Sequence, residues 1–216
     1  MKIACISDTH QHHKKLVVPA GCDMIIHSGD FTYHGELKEV INFLDWYKNQ
    51  KPKYKLLICG NHEVEISKQP FQILQQLCCD RDIILLNNTH VTIEGKKFFG
   101  SPNTPTFGHG WAHMMNEQQL ANVWSSIDGD IDVLITHGPA KGVLDKTLSG
   151  VSAGSQTLRD RIDNLTQLKL HVFGHIHEDR GISLNSNGHR DFISVNASIC
   201  GIPYTDFLIN PIKVEI

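Results

Sequence analysis

No stretch of the 216 residues stays apolar over the roughly 20 positions needed to cross a bilayer. A membrane-spanning chain is therefore not expected. The six cysteines (Cys5, Cys22, Cys59, Cys78, Cys79, Cys200) include no Cys-x-x-Cys pair and fall mostly within apolar runs, so they are expected as reduced core thiols. No excess of one charge is present either: 20 Lys and Arg against 23 Asp and Glu give a net charge of −3 and a pI near 6.5. That balance provides no global attraction to nucleic acid or to an anionic membrane. The one basic cluster, Lys48, Lys51, Lys53 and Lys55, follows a predicted helix and is expected to solvate its end. Met1-Lys2 leads straight into Ile3-Ala4-Cys5-Ile6, without the long apolar stretch and small-residue cleavage site of a signal peptide. The cytoplasm is the expected location. There is no repeat, linker or low-complexity tract, and a composition 40% hydrophobic and 20% charged predicts one domain over residues 1–216.

What the chain does have is fourteen histidines, and their positions are informative. Residues 169–173 are a short apolar run that ends in Gly174-His175-Ile176-His177. If the run is a buried strand, the glycine lets the backbone turn, and extended-chain alternation points both imidazoles the same way. The pattern recurs upstream. Residues 2–7 lead to Asp8-Thr9-His10, 23–28 to Gly29-Asp30, 54–59 to Gly60-Asn61-His62-Glu63, and 132–136 to His137-Gly138. Between the second and third of these runs, Leu37, Val40, Ile41, Leu44 and Tyr47 have the three-four spacing of a helix packed on one face, which makes a βαβ unit.

Farther on, Pro70 suits the first turn of a helix carrying Phe71, Leu74, Leu77 and Cys78, and residues 82–86 return as a strand. Residues 89–94 and 96–100 read as a hairpin. Asn116 with Gln119, and Ser155, are expected helix caps. Residues 101–113 and 140–154 lack periodicity and read as loops, while 181–184, 191–196 and 212–216 complete a mixed sheet arrangement.

In open α/β sheets, sites form at the carboxyl ends of strands, so Asp8, His10, Asp30, Asn61, His62, His137, His175 and His177 can converge on one crevice. Leaving His62 aside, the set is two carboxylates, one amide and four imidazoles, with no thiolate. Such donors suit manganese, iron, cobalt or zinc. Seven ligands are too many for one tetrahedral ion and suit two metals roughly 3.5–4 Å apart.

The five blocks Asp8-x-His10, Gly29-Asp30, Gly60-Asn61-His62-Glu63, His137-Gly138 and Gly174-His175-x-His177 occur in order, and together they resemble the calcineurin-like metallophosphoesterases. Ile26-His27-Ser28-Gly29-Asp30-Phe31-Thr32, Gly100-Ser101-Pro102 and residues 171–178 are similar to the small metallophosphoesterase-domain-containing proteins. The resemblance implies an α/β fold, a sandwich of two mixed β-sheets flanked by helices. It implies Asp8, His10, Asp30 and His177 on one divalent ion and Asp30, Asn61, His137 and His175 on a second, with Asp30 bridging. Manganese is the first expectation, ahead of iron, zinc, cobalt or magnesium. The implied chemistry is in-line attack of a metal-bridging hydroxide on phosphorus, with His62 contacting the phosphate or protonating the leaving oxygen.

The sequence departs from the phosphoprotein phosphatases of that superfamily at one place. Where those have Val-Asp-Arg-Gly shortly after Gly-Asp, this chain has Thr32-Tyr33-His34-Gly35. The missing Asp and Arg argue against a phosphoserine phosphatase and leave the orientation of His62 without an explanation. A hydrolase of small phosphodiesters or cyclic nucleotides is the leading expectation. A phosphomonoesterase and a catalytically weak metal-binding scaffold are the alternatives, and polymeric nucleic acid and membranes are not expected partners. Asn103, His109, Trp111 and His113 are candidates for a substrate rim. His12, His13, His90 and His189 are expected on the surface, His27 as a hydrogen-bonded neighbour of the site, and Glu63 either as an acceptor behind it or on the surface.

Overall fold

The first strand, β1 (Lys2–Ile6), shows the plan of the molecule, because Ile3 and Cys5 face one apolar core while Ala4 and Ile6 face another. Period-two alternation in a strand covered on both sides requires this. The computed structural model describes residues 1–201 and 210–216.

The chain continues through β2 (Met24–Ser28), α1 (Leu37–Lys48), β3 (Tyr54–Ile58), the short α2 (Val64–Ser67), α3 (Phe71–Cys79) and β4 (Ile84–Leu85). There follow the hairpin of β5 (Thr89–Ile93) and β6 (Lys96–Ser101), a two-stranded ribbon of β7 (Thr104–Pro105) and β8 (Met114–Met115), and α4 (Glu117–Ser125). Last come β9 (Val133–Thr136), α5 (Gln156–Ile162), β10 (Leu170–Phe173), β11 (Gly181–Ser186), β12 (Asp191–Asn196) and β13 (Ile212–Glu215). One sheet has the order β13-β1-β2-β3-β4, parallel except for β13, and the other runs β11-β12-β10-β9-β6-β5 with antiparallel strands at both edges. Both sheets are therefore mixed, and they pack face to face with helices outside.

Three apolar layers hold the sandwich. Ile26, Leu56, Phe98, Val133 and Val172 lie between the sheets. Ile25 and Leu57 meet Phe43, Leu44 and Tyr47 of α1 outside the first sheet, and Leu134 and Phe192 meet Trp124 of α4 and Leu158 of α5 outside the second. Each fully buried Phe or Leu contributes on the order of 1.5–3 kcal/mol relative to exposure. Among the described residues no helix is long and apolar enough to cross a membrane.

Several local expectations need correction. Leu37 sits exposed in the first turn of α1, and Phe43 takes its place on the buried face. Only two residues of the 82–86 run pair as β4, whereas β11 extends two residues beyond the expected 184. The loop 101–113 is organised by the β7–β8 ribbon. His13 is buried, because the 3-10 turn His13–Lys15 folds it against Phe43 and Trp46. In the basic cluster, Lys55 is buried, and its ammonium donates to the Pro52 carbonyl at 2.9 Å. The helix caps are as expected: Asn116 and Gln119 form a reciprocal box, and Ser155 accepts from the Leu158 amide.

Candidate metal centre

The parallel strands of both sheets end on the same side, and the backbone turns sharply as it leaves them. Asp8 (φ 52°), His10 (φ 38°), Asp30 (φ 57°) and His175 (φ 69°) all occupy the left-handed region. Each such residue costs on the order of 1–3 kcal/mol and persists only where its surroundings hold it. Here they do. The Asp8 amide donates to the Gly29 carbonyl at 2.9 Å and the His10 amide to the Asp30 carbonyl at 3.1 Å, which ties the ends of β1 and β2 together. The Asp8 carboxylate accepts from Ser198 Oγ at 2.8 Å and from the His175 amide at 3.0 Å, which ties β1 to the second sheet.

The glycines in these turns make room. A Cβ on Gly174 would overlap the Asp8 carboxylate and Ser7, and one on Gly60 would overlap the Asp30 carboxylate and the His137 ring. The expected role of Gly174 as the turning residue belongs instead to His175. The alternation argument also fails after the strand, since His177 already begins a 3-10 turn (His177–Asp179). The two imidazoles consequently part company.

His177 joins Asp8 and His10 in one triad, with its Nε2 3.3 Å from Asp8 Oδ1 and 3.4 Å from His10 Nε2. His175 joins Asp30 and His137 in another. There His137 Nε2 lies 3.3 Å from Asp30 Oδ2 and 2.9 Å from Asn61 Oδ1. Asp30 also groups with His10 and His62, so its carboxylate stands between the two triads. All seven expected ligands are thus brought together around one centre.

Hydrogen bonds behind the ring nitrogens decide which atoms face inward. His10 Nδ1 donates to the Thr32 carbonyl at 3.2 Å, His137 Nδ1 to the Ser28 carbonyl at 2.9 Å, and His62 Nδ1 to the Tyr33 carbonyl at 2.8 Å. In its neutral form each of these rings carries its lone pair on Nε2, toward the centre. Glu63 is buried and serves as a latch: its carboxylate accepts from the amides of Gly60 (2.6 Å), Asp30 (3.0 Å) and Thr32 (3.0 Å) and from Thr32 Oγ1 (2.8 Å). His27 accepts the Gly29 amide on Nδ1 at 3.3 Å, so its Nε2 donates to Thr9 Oγ1 at 3.0 Å, between two of the expected ligands.

The electrostatics follow from burial and crowding. Burial alone would raise the Asp8 carboxyl, but the charge and hydrogen bond of His177, with His137 and His10, hold it well below the usual range. Burial works the same way on Asp30, and His137 and His62 overcome it. Burial pushes His10 down to about 4 and His175 to about 3, which keeps both rings neutral. His137 is also disfavoured as a cation by burial, yet Asp30 and Asp8 lift it to about 9. Burial, reinforced by the Asp30 charge, pushes Glu63 up to about 7.

With its Nδ1 proton on the Ser28 carbonyl, His137 Nε2 faces the oxygens of Asp30 and Asn61, an arrangement that a proton or a metal ion can bridge. The inward donor set is nitrogen and oxygen without thiolate, which matches a divalent ion such as manganese, iron or zinc.

The centre opens into a cleft of about 500 Å³. Of the four rim candidates, Trp111 lines the cleft, beside the Phe107 that sequence reasoning passed over. Asn103 is buried and donates to Asn88, His113 borders a separate small apolar pocket, and His109 is exposed on the loop. Phe107 and Trp111 are both aromatic residues of an aperiodic loop that precedes a capped helix, and nothing more in the sequence marked one above the other. Thr147 and Ala153 form the facing wall from the 140–154 loop. That loop is gathered by the buried Asp145, which accepts from the Gly142 and Gly154 amides at 3.0 Å each and from Ser152 Oγ.

Comparison with known proteins places these observations in a family. The profile of the calcineurin-like phosphoesterases matches residues 1–179. The human protein named metallophosphoesterase domain-containing protein 1 is 34% identical over 236 residues, covering 97% of this chain and 69% of that protein. A Caenorhabditis elegans protein, UPF0046 protein K07C11.7, is 37% identical over 212 residues, covering 93% of this chain and 70% of its own length. Among solved structures, the Thermus thermophilus protein TT1561 superposes with a TM-score of 0.62 at 11% identity, over 90% of this chain and 88% of that one, a likeness of fold alone.

Proposed function

The chain belongs to the calcineurin-like phosphoesterase family and is a phosphoric ester hydrolase, and from that premise we propose that it is a dinuclear, metal-dependent phosphodiesterase of small phosphodiesters or cyclic nucleotides. In this reading Asp8, His10, Asp30 and His177 hold one divalent ion, and Asp30, Asn61, His137 and His175 hold the other. Manganese is the pair's first candidate by donor chemistry. The ions, when bound, supply Lewis-acid activation of the attacking water and neutralisation of charge on the transferring group.

The chain's own groups do the rest. Asp30, whose carboxylate stands between the two triads, links the two halves. His62 Nε2 stands 3.9 Å from Asp30 Oδ2 on the cleft wall, where it can give a proton to the leaving oxygen. His62 releases that proton from its imidazolium form, since Nδ1–H remains bonded to Tyr33. Phe107 and Trp111 give one side of the cleft an aromatic wall.

One observation favours the diester over the monoester: no Lys or Arg is among the described residues that line the cleft. A monoester brings an additional charged oxygen, and no guanidinium or ammonium is there to hold it. The compartment proposed is the cytoplasm, and the substrate is a small molecule, since the net charge of −3 suits neither a polymeric nucleic acid nor an anionic membrane. The test is to load the protein with manganese and compare kcat/KM for bis-(p-nitrophenyl) phosphate and p-nitrophenyl phosphate at one pH. The diester is expected to lead. A monoester ahead by about tenfold, a difference of about 1.4 kcal/mol in transition-state binding, would reject the diesterase reading and leave the metal centre standing.

A further inference from the structure

Where the phosphoprotein phosphatases place an Asp after Gly-Asp, this chain offers the Tyr33 carbonyl, which takes the Nδ1 proton of His62. A hydrogen bond in the ring plane fixes the position of Nδ1 but lets the ring roll about that bond. Packing against the ring must set its plane. The His62 ring lies between two others: His10 meets it edge-on at 4.5 Å and 68°, and the Trp111 indole covers it at 4.5 Å and 37°.

We propose that Trp111 is a positioning residue, which together with the Tyr33 carbonyl keeps His62 Nε2 aimed at the leaving oxygen; this rests on the proton-donor role given to His62 above.

Three features support the assignment. First, the separation of the two rings is set through the backbone, because the Ala112 amide, next to Trp111, donates to the Asn61 carbonyl, next to His62, at 3.0 Å. The far side of the loop is pinned by the Thr104 amide on the His113 carbonyl at 3.1 Å and by the β7–β8 ribbon. Second, among the described residues Trp111 is a member of none of the three apolar cores, and it lines the cleft instead. Third, Phe107 stacks beside it at 6.4 Å and 26°, a second ring contact that restrains the indole.

In the step concerned, the water oxygen bonds to phosphorus as the bond from phosphorus to the leaving oxygen breaks. The His62 Nε2 proton passes to that oxygen, and the proton released by the water restores His62. A displacement of about 1 Å in such an arrangement costs up to about a hundredfold in rate. The loss depends on the leaving group, because a good leaving group departs without a proton and a poor one does not.

The experiment uses Trp111→Ala, Trp111→Phe, His62→Ala and the His62→Ala/Trp111→Ala double variant. Each is assayed on a series of aryl phosphodiesters that share one half and vary the leaving phenol from nitrated to unsubstituted, with metal content counted for each protein. Trp111→Ala is expected to lose about tenfold or more in kcat on the unsubstituted phenol and less than about threefold on the nitrated one, within the range of a misplaced acid. Its metal content should be that of the parent, and Trp111→Phe should recover most of the activity. The double variant should be no slower than His62→Ala, since both act through one group. An equal loss on every phenol, a change in KM alone, or loss of metal from Trp111→Ala would overturn the inference. If His62→Ala itself shows no dependence on the phenol, the proton-donor role fails and the inference fails with it. If His62→Ala shows that dependence and Trp111→Ala does not, the inference alone fails.

Discussion

Replacing Glu63 by Gln changes one oxygen to an amide nitrogen in a place where every neighbour is a donor. The carboxylate takes four hydrogen bonds, two on each oxygen: Gly60 and Asp30 amides on Oε2, and the Thr32 amide and hydroxyl on Oε1. The variant will place its oxygen toward Gly60 and Asp30. Thr32 Oγ1 can then turn and accept from the new amide, which leaves the Thr32 backbone N–H alone to face a donor. An unsatisfied buried donor costs about 1–3 kcal/mol, and the remaining bonds, no longer charge-assisted, each lose about 1 kcal/mol. Part of this is returned, because a buried carboxylate beside Asp30, already pushed up to about 7, is removed. The net expectation is a destabilisation of about 2–4 kcal/mol. For a chain of this length that lowers Tm by roughly 5–15 °C. Urea unfolding of the metal-free protein measures it, with the parent and Glu63→Gln at the same pH. The two turns that carry Asp30 and Asn61 loosen as well, so metal affinity should fall in parallel. A variant within about 0.5 kcal/mol of the parent, which is the scatter of surface substitutions, would show that Glu63 does not latch the site.

Asp30→Ala is expected to lose activity and to bind well under one metal per chain, because one carboxylate stands between both triads; elemental analysis showing close to two metals would remove its bridging role. His171, away from the centre, is wholly buried and pushed down by burial to about 3, with Nε2 on Thr136 Oγ1 at 2.8 Å. A folded value below the unfolded one means stability present above about 6.5 and lost as the pH falls below it. His171→Leu should therefore lose about 2 kcal/mol less than the parent between pH 7 and pH 5 in urea titrations, and parallel pH profiles for the two proteins would contradict this.

The expected α/β sandwich of two mixed sheets is present, and the seven expected ligands meet. Both were readable for the same reason: an apolar run of four or five residues ending in a short polar block is a local signal, and parallel strands bring such ends to one side. What lay beyond reading was set by contacts distant in sequence. The direction of the His175 and His177 rings depends on the left-handed turn at His175, which the Asp8 carboxylate stabilises from the far end of the chain. His13 is buried because α1, much later in the sequence, supplies Phe43 and Trp46. The four rim candidates shared an aperiodic loop, and contacts distant in sequence, among them the Ala112 amide on the Asn61 carbonyl, put Trp111 on the cleft while His109 stays exposed. The anchor of His62 Nδ1 is the Tyr33 main-chain carbonyl, which no residue type signals.

The centre lies across the seam between the sheets, with Asp8, His10, Asp30 and Asn61 at strand ends of the first and His137, His175 and His177 at strand ends of the second. This has a consequence during synthesis. A nascent chain that has cleared the ribosome as far as residue 100 has most of the first sheet, yet it carries Asp8 and His10 without His177, and Asp30 without His137 and His175. The last imidazole arrives at residue 177, and Ser198, which binds the Asp8 carboxylate, arrives later still. The first strand waits longer, since its outer neighbour β13 begins at residue 212. Assembly of the centre is therefore expected late in translation, and a chain cut short before residue 177 lacks a member of the triad that Asp8 and His10 belong to.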